Sequence, residues 1–277
     1  MEKTIARRTR GGRGRSHAAD DRLQPPGPAL TDGARGVFLA AALGLAGGTA
    51  VLIGPLGGWA RYAVPLLQAI PGWLLLLDAL RHGRPWRGAL LMLVWSLGAT
   101  LTVIELTIHA GGAVEPGVLR GESYRQEMFD WIRTGVGAES DPSLFLPQHL
   151  RHFGLTIGLS FATAGLAGLA AGTVLLNYMN YYVGALVAVA ADPAAASLWG
   201  WPVWSVLRVI GFTFGATAAA HLLLGPVLRK APWEARTAVR MAAASLALVV
   251  ADLVVKAVLS PHWRLLLSAA LRPAGGD

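Results

Sequence analysis

Long apolar runs with few charges, separated by short polar or basic stretches, set the pattern of this chain. The runs fall at about 37–53, 62–80, 89–108, 153–176, 203–228 and 241–259. Each is close to the ~20 residues that a helix needs to cross the hydrocarbon of a bilayer. The runs are continuous rather than alternating, which argues against a β-barrel and predicts an all-α polytopic transmembrane helix bundle. A shorter run at 183–191 reaches spanning length only together with residues 178–182. It is either a seventh span or a re-entrant half-helix. Within 153–176, Gly154, Gly158 and Ala162 recur every fourth residue, as do Ala164, Gly168 and Gly172. Ridges of small residues let helix backbones approach closely in lipid, where packing drives association. This run is therefore expected to be the helix around which the others pack, and Gly168 and Gly172 are expected to tolerate leucine less well than Gly48.

The polar stretches predict the topology. Residues 1–35 are basic, rich in Gly and Pro, and without apolar period, so a disordered cytosolic tail rather than a cleaved signal peptide is expected. Residues 81–87 and 229–240 are also basic. Cytosolic flanks of membrane helices carry excess Lys and Arg, and all three basic stretches share one side only if 178–192 crosses. That favours seven spans over six, with the bundle occupying 36–260. The long connection 110–152 is then outer. Inside it, 122–133 places Tyr124, Met128, Trp131 and Ile132 on one helical face, predicting an amphipathic segment that lies on the interface or caps the bundle. Residues 261–277 are expected to form an interfacial C-terminal tail.

Composition supports this reading. Charged residues make up 14% of the 277-residue chain, whereas soluble domains usually carry ~25%. The absence of Cys excludes disulfides, thiolate metal sites and a Cys nucleophile. The net charge of +8 sits largely in the N-terminal segment, where contact with anionic lipid is expected rather than specific nucleic-acid binding. The expected location is a bacterial inner membrane, with further membrane proteins as potential partners.

Three constellations carry candidate chemistry. Glu105 and His109 are i,i+4, and His149 and His152 are i,i+3, near the predicted outer ends of two spans. If the four side chains meet there, with His262 as an additional donor, they suit a divalent metal such as zinc. A haem between facing histidines is a further option, although nothing marks a porphyrin pocket. The alternative is that Glu105 pairs with an Arg and the histidines are interfacial. The second constellation is Asp252 with Lys256, i,i+4 inside the last span. Charges in membrane helices pair or face a cavity. These form either a proton or ion relay or a structural pair, shared with each other or with Arg208 or His221. The third is the run 177–182, where Asn177, Asn180 and Tyr181 either line an ion or substrate path or anchor and cap helices at the interface. No Gly-x-Ser-x-Gly, His-Glu-x-x-His or Walker signature occurs. The function expected is a transporter-like bundle or a membrane subunit of a larger assembly, with a membrane metalloenzyme as the alternative.

Overall fold

A computed structural model of the chain describes residues 29–272, and the basic segment at 3–15 lies outside the described residues. The described chain is a helical bundle. In order, its helices are α1 (Gly33–Gly48), α2 (Ala60–Arg81), α3 (Pro85–Val114), α4 (Gly121–Thr134), α5 (Pro142–Ala162), α6 (Leu166–Val189), α7 (Pro193–Trp199), α8 (Val203–Leu222) and α9 (Ala235–Leu271). A 3-10 segment, Thr49–Leu56, prolongs α1. Among the described residues, five helical stretches are long and apolar enough to cross a membrane: those at α1, α2, α3, α8 and α9. Large apolar side chains such as Leu97, Leu101, Leu155, Val250, Val254 and Val258 are exposed on the bundle's outside. Compatibility with a lipid environment follows from that distribution, which a water-facing surface of this extent would not sustain.

The basic loops meet at one end. Arg84 pairs with Asp32, and Arg87 donates to the carbonyls of Thr31 and Gly33, tying the start of α1 to the α2–α3 turn. Gly83 in that turn lies against Pro232 of the α8–α9 loop. Residues 81–87 and 229–235 therefore share an end of the bundle, as the charge pattern predicts.

The run at 153–176 is not one helix. It breaks at Thr163–Gly165, where Ala164 and Gly165 take left-handed φ values of 52° and 100°. The chain reverses there, so α5 and α6 form a hairpin. Thr163 builds the turn: its hydroxyl donates to the Leu159 carbonyl closing α5 and accepts from the Ala167 N–H opening α6. The Trp73 indole of α2 donates to the Ala164 carbonyl at 3.1 Å. Backbone groups freed at a helix break between apolar segments need such partners. Neither charge nor proline marks this break, so hydropathy runs across it unbroken. In place of one span at 153–176 and a separate short run, α5 begins at Pro142 and residues 178–189 belong to α6.

Small-residue packing is also placed elsewhere than expected. Gly168 lies against Ser160 and the Thr156 carbonyl within the hairpin, whereas side chains at Gly154, Gly158 or Gly172 would meet open space. The tight seam is α1 on α3. Gly36, Ala40, Gly44 and Gly48 recur every fourth residue and are all buried. Gly44 sits on the Trp95 carbonyl, Gly48 on Thr102, and Gly98 of α3 sits on Ala41.

Two further expectations are resolved by continuity. Residues 261–271 prolong α9 through Pro261 rather than forming a separate tail. Leu267 and Ala270 are buried in one apolar cluster with Met128, Trp131 and Ile132 of α4. The predicted amphipathic segment is thus a cap, turning Met128, Trp131 and Ile132 inward. On its other face, Arg125 binds Glu122 and holds that carboxyl below its usual range.

Gly44→Leu and Gly48→Leu are expected to lower stability by at least ~1–3 kcal/mol each, the usual cost of overpacking. Gly154→Leu should stay within ~0.5 kcal/mol, as surface changes do. Thermal denaturation of the purified variants in detergent checks the order; equal melting temperatures would remove the seam from its role.

Candidate functional site: a buried charge cluster beside an inter-helix cavity

The four helices α3, α6, α5 and α8 form a ring. Both α3 and α5 pack on α6 and on α8, so the ring closes around a central space. That space is a cavity of about 80 Å³ accessible to water-sized molecules, lined from all four helices. A site for a water needs only ~10–15 Å³ on this measure, so several fit. Most of the wall is apolar, with Met92, Trp95, Leu169, Leu176, Val209 and Phe212 contributing. The charged or titratable lining is confined to Arg208, His152 and Tyr178. Arg208 and Ser205 lie near the start of α8, and His152 at the middle of α5, so the charged part of the wall is toward the capped end.

Arg208 is held by a carboxylate behind the wall. Its Nε and Nη2 donate to the two Asp252 oxygens at 2.9 and 3.0 Å, a bidentate pair joining α8 to α9. Asp252 is fully buried and the Arg208 side chain is 16% exposed. In this environment each ion's desolvation is offset only by good pairing geometry. His149 approaches the same carboxylate from α5. Its Nδ1 donates to the Phe145 carbonyl at 2.7 Å, which leaves the Nε2 lone pair 3.9 Å from Asp252 Oδ2. That Nε2 is buried without a hydrogen-bond partner. At this distance the two acceptors leave room for one bridging water.

Lys256, one turn along α9, does not pair with Asp252 as its i,i+4 spacing suggests. Its ammonium turns to Glu139 of the α4–α5 loop at 3.0 Å and sits 4.5 Å from the centroid of the Phe145 ring. The cluster of Arg208, Asp252, His149, Lys256 and Glu139 thus balances two cations against two carboxylates around a histidine. It reaches from the cavity wall to the loop above α5. Glu139 escapes a reading of the sequence because it lies in a polar loop with no helical spacing to its partner.

The remaining candidates are distributed differently. Glu105 and His109 approach to 3.5 Å, but on an exposed face of α3. His149 points to Asp252, and His152 lines the cavity. The four side chains therefore do not converge: Glu105 and His109 lie on an exposed face of α3, while α5 turns His149 to Asp252 and His152 to the cavity. Among the described residues, no group of three or more His, Asp or Glu is arranged to hold a metal ion. His262 lies on the prolonged α9. His221 is buried under the Trp233 ring at a centroid distance of 4.9 Å, away from Asp252. Asn177 donates to Gln68 of α2 at 2.7 Å, Asn180 to Thr100 of α3 at 3.3 Å, and Tyr181 to Glu115 at 3.2 Å. These are helix-to-helix ties, and none of the three lines the cavity. Their neighbours Tyr178 and Met179 do.

The chain matches no protein family, no curated protein and no solved structure.

Asp252→Asn is expected to destabilise the fold by about 3–5 kcal/mol, because the guanidinium is left buried without its counter-charge. Removing both charges together, as Arg208→Met with Asp252→Leu, should restore most of that loss. Paired melting curves in detergent decide it; a double variant no better than the single one would show that the pair is not the source of the effect.

Proposed function

We propose that the chain is a multi-pass integral membrane protein, a transporter-like bundle that admits a small ligand to the cavity between α3, α5, α6 and α8. The observation that carries this reading is the cavity itself. A purely architectural bundle has no reason to keep a space at the centre of a helix ring, with a cation held at its wall by a fully buried carboxylate. Ionisable groups inside membrane bundles commonly mark ion or substrate routes. In the orientation we propose, the end carrying 81–87 and 229–235 is cytosolic, in line with the positive-inside rule, and the membrane is a bacterial inner membrane. The basic N-terminal segment then lies against anionic lipid.

A subunit of a larger membrane assembly is the second reading. It is favoured by the Gly154 and Gly158 ridge on α5, which has open space where a neighbouring helix would fit. The two readings differ in whether the central cavity is reached by solutes.

The chain has no native cysteine, so single introduced thiols report unambiguously. In sealed vesicles, an impermeant thiol reagent should modify Ser140→Cys from the outer side alone and Ala235→Cys from the cytosolic side alone. Ser205→Cys, in the cavity wall, should react from at least one side, more slowly than the surface sites. Modification of Ser140→Cys and Ala235→Cys from the same side would overturn the topology. A Ser205→Cys variant that stays unreactive from both sides would overturn the transporter-like reading.

A further inference from the structure

The cavity has a direction. Its charged or titratable side chains, Arg208, His152 and Tyr178, come from the start of α8, the middle of α5 and the second half of α6. The wall then continues along α8 through Val209, Phe212 and Ala216. Eight residues separate Arg208 from Ala216, which at the α-helical rise is ~12 Å of depth. Over that depth the wall also carries Met92, Trp95 and Ser96 of α3, Leu169 and Thr173 of α6 and Thr156 of α5. The Ser96, Thr173 and Thr213 hydroxyls are spent on carbonyls of their own helices, which leaves this stretch largely apolar. No carboxylate lines the cavity, because Asp252 stands behind Arg208 and Glu139 above Lys256. One cationic end and one apolar barrel are what an amphiphile with a negative head would need. The head would take the guanidinium edge not used by Asp252, with His152 and Tyr178 as neutral donors, while its chain displaces water from the apolar wall.

We infer that the ligand of this cavity is a slender amphiphile bearing a single anionic head, a carboxylate or phosphate, seated at Arg208 and His152 with its apolar chain running along α8 toward Ala216. This rests on the transporter-like reading of the cavity. Arg208 serves as the head-group anchor, and Asp252 is a positioning residue that fixes the guanidinium plane. Guanidinium recognises both carboxylate and phosphate oxygens, so the head chemistry is shared by free long-chain acids and by anionic lipids. A neutral or cationic amphiphile would leave the guanidinium without its partner or place two cations together.

Trp95 in the wall supplies the readout. The protein is placed in phosphatidylcholine nanodiscs and titrated with bromine-tagged dodecanoate, which quenches indole fluorescence on contact. The cavity component of the quenching is the part absent in Trp95→Phe. Binding should be saturable, and abolished by Gly172→Leu, which fills the cavity from a position where a side chain meets no neighbour within 4 Å. His152→Ala, and the charge-neutral double change Arg208→Met with Asp252→Leu, should each weaken binding about tenfold or more, the usual worth of a hydrogen bond to a charged group. Unlabelled dodecanoate and dodecyl phosphate should compete, and dodecanol, dodecylammonium and acetate should not. Phosphatidylglycerol added to the nanodisc identifies the source: competition assigns the head to a lipid, and its absence to a free acid. Competition by dodecanol or dodecylammonium equal to that of dodecanoate, still sensitive to Gly172→Leu, would overturn the anionic head while leaving the cavity reading intact. Quenching that Gly172→Leu leaves unchanged, with no amphiphile competing, would overturn both.

Discussion

A charge buried among apolar helices has to be met by an opposite charge, and in this bundle that requirement falls on Asp252. Its two oxygens are both taken by the Arg208 guanidinium, which fixes α9 against α8 in rotation as well as in distance. The same carboxylate draws His149 of α5 toward it. One turn farther along α9, Lys256 reaches across to Glu139 and leans on Phe145. Four parts of the chain, α5, α8, α9 and the loop above α5, are thereby held in register by one neutral set of charges. Deep burial makes each member costly alone and stable only in company. Where α6 and α8 stand apart beside this cluster, the cavity opens.

The helix ring has a second dependence, on the turn at Thr163–Gly165. A reversal between two apolar helices frees backbone groups that need partners. Thr163 covers two of them and Trp73 a third, so the turn is tolerated where its surroundings complete it. The hairpin this creates puts α5 and α6 side by side. With α3 and α8 on their flanks, the ring then encloses a space rather than a packed core. A single straight helix over 153–176 would have left no such ring.

The α1–α3 seam follows a different physics. Backbones approach closely there because Gly44 and Gly48 of α1 and Gly98 of α3 present no side chain, and dispersion over that contact replaces the hydrophobic drive that lipid does not provide. The comparable glycines at 154 and 158 face outward. Small-residue spacing alone therefore does not say which face of a helix has a neighbour.

How far the sequence reaches is set by the range over which its signals act. Hydropathy and charge are local, and they were sufficient for the all-α bundle, the gathering of 81–87 and 229–235 at one end, and the inward face of α4 through Met128, Trp131 and Ile132. Helical spacing correctly put Glu105 beside His109. It said nothing reliable of contacts between helices. His149 and His152 were near each other in sequence but serve different surroundings, one facing Asp252 and the other the cavity. Lys256 was one turn from Asp252 yet binds a residue 117 positions away. The break at Ala164 carried no proline or charge, because its stabilising partners sit on Trp73 and in the Thr163 hydroxyl. What the sequence determined by itself was which segments are helical and apolar. Which helix faces which, and so where the cavity and its cation lie, was decided by tertiary packing, since burial and pairing depend on neighbours that local spacing does not encode.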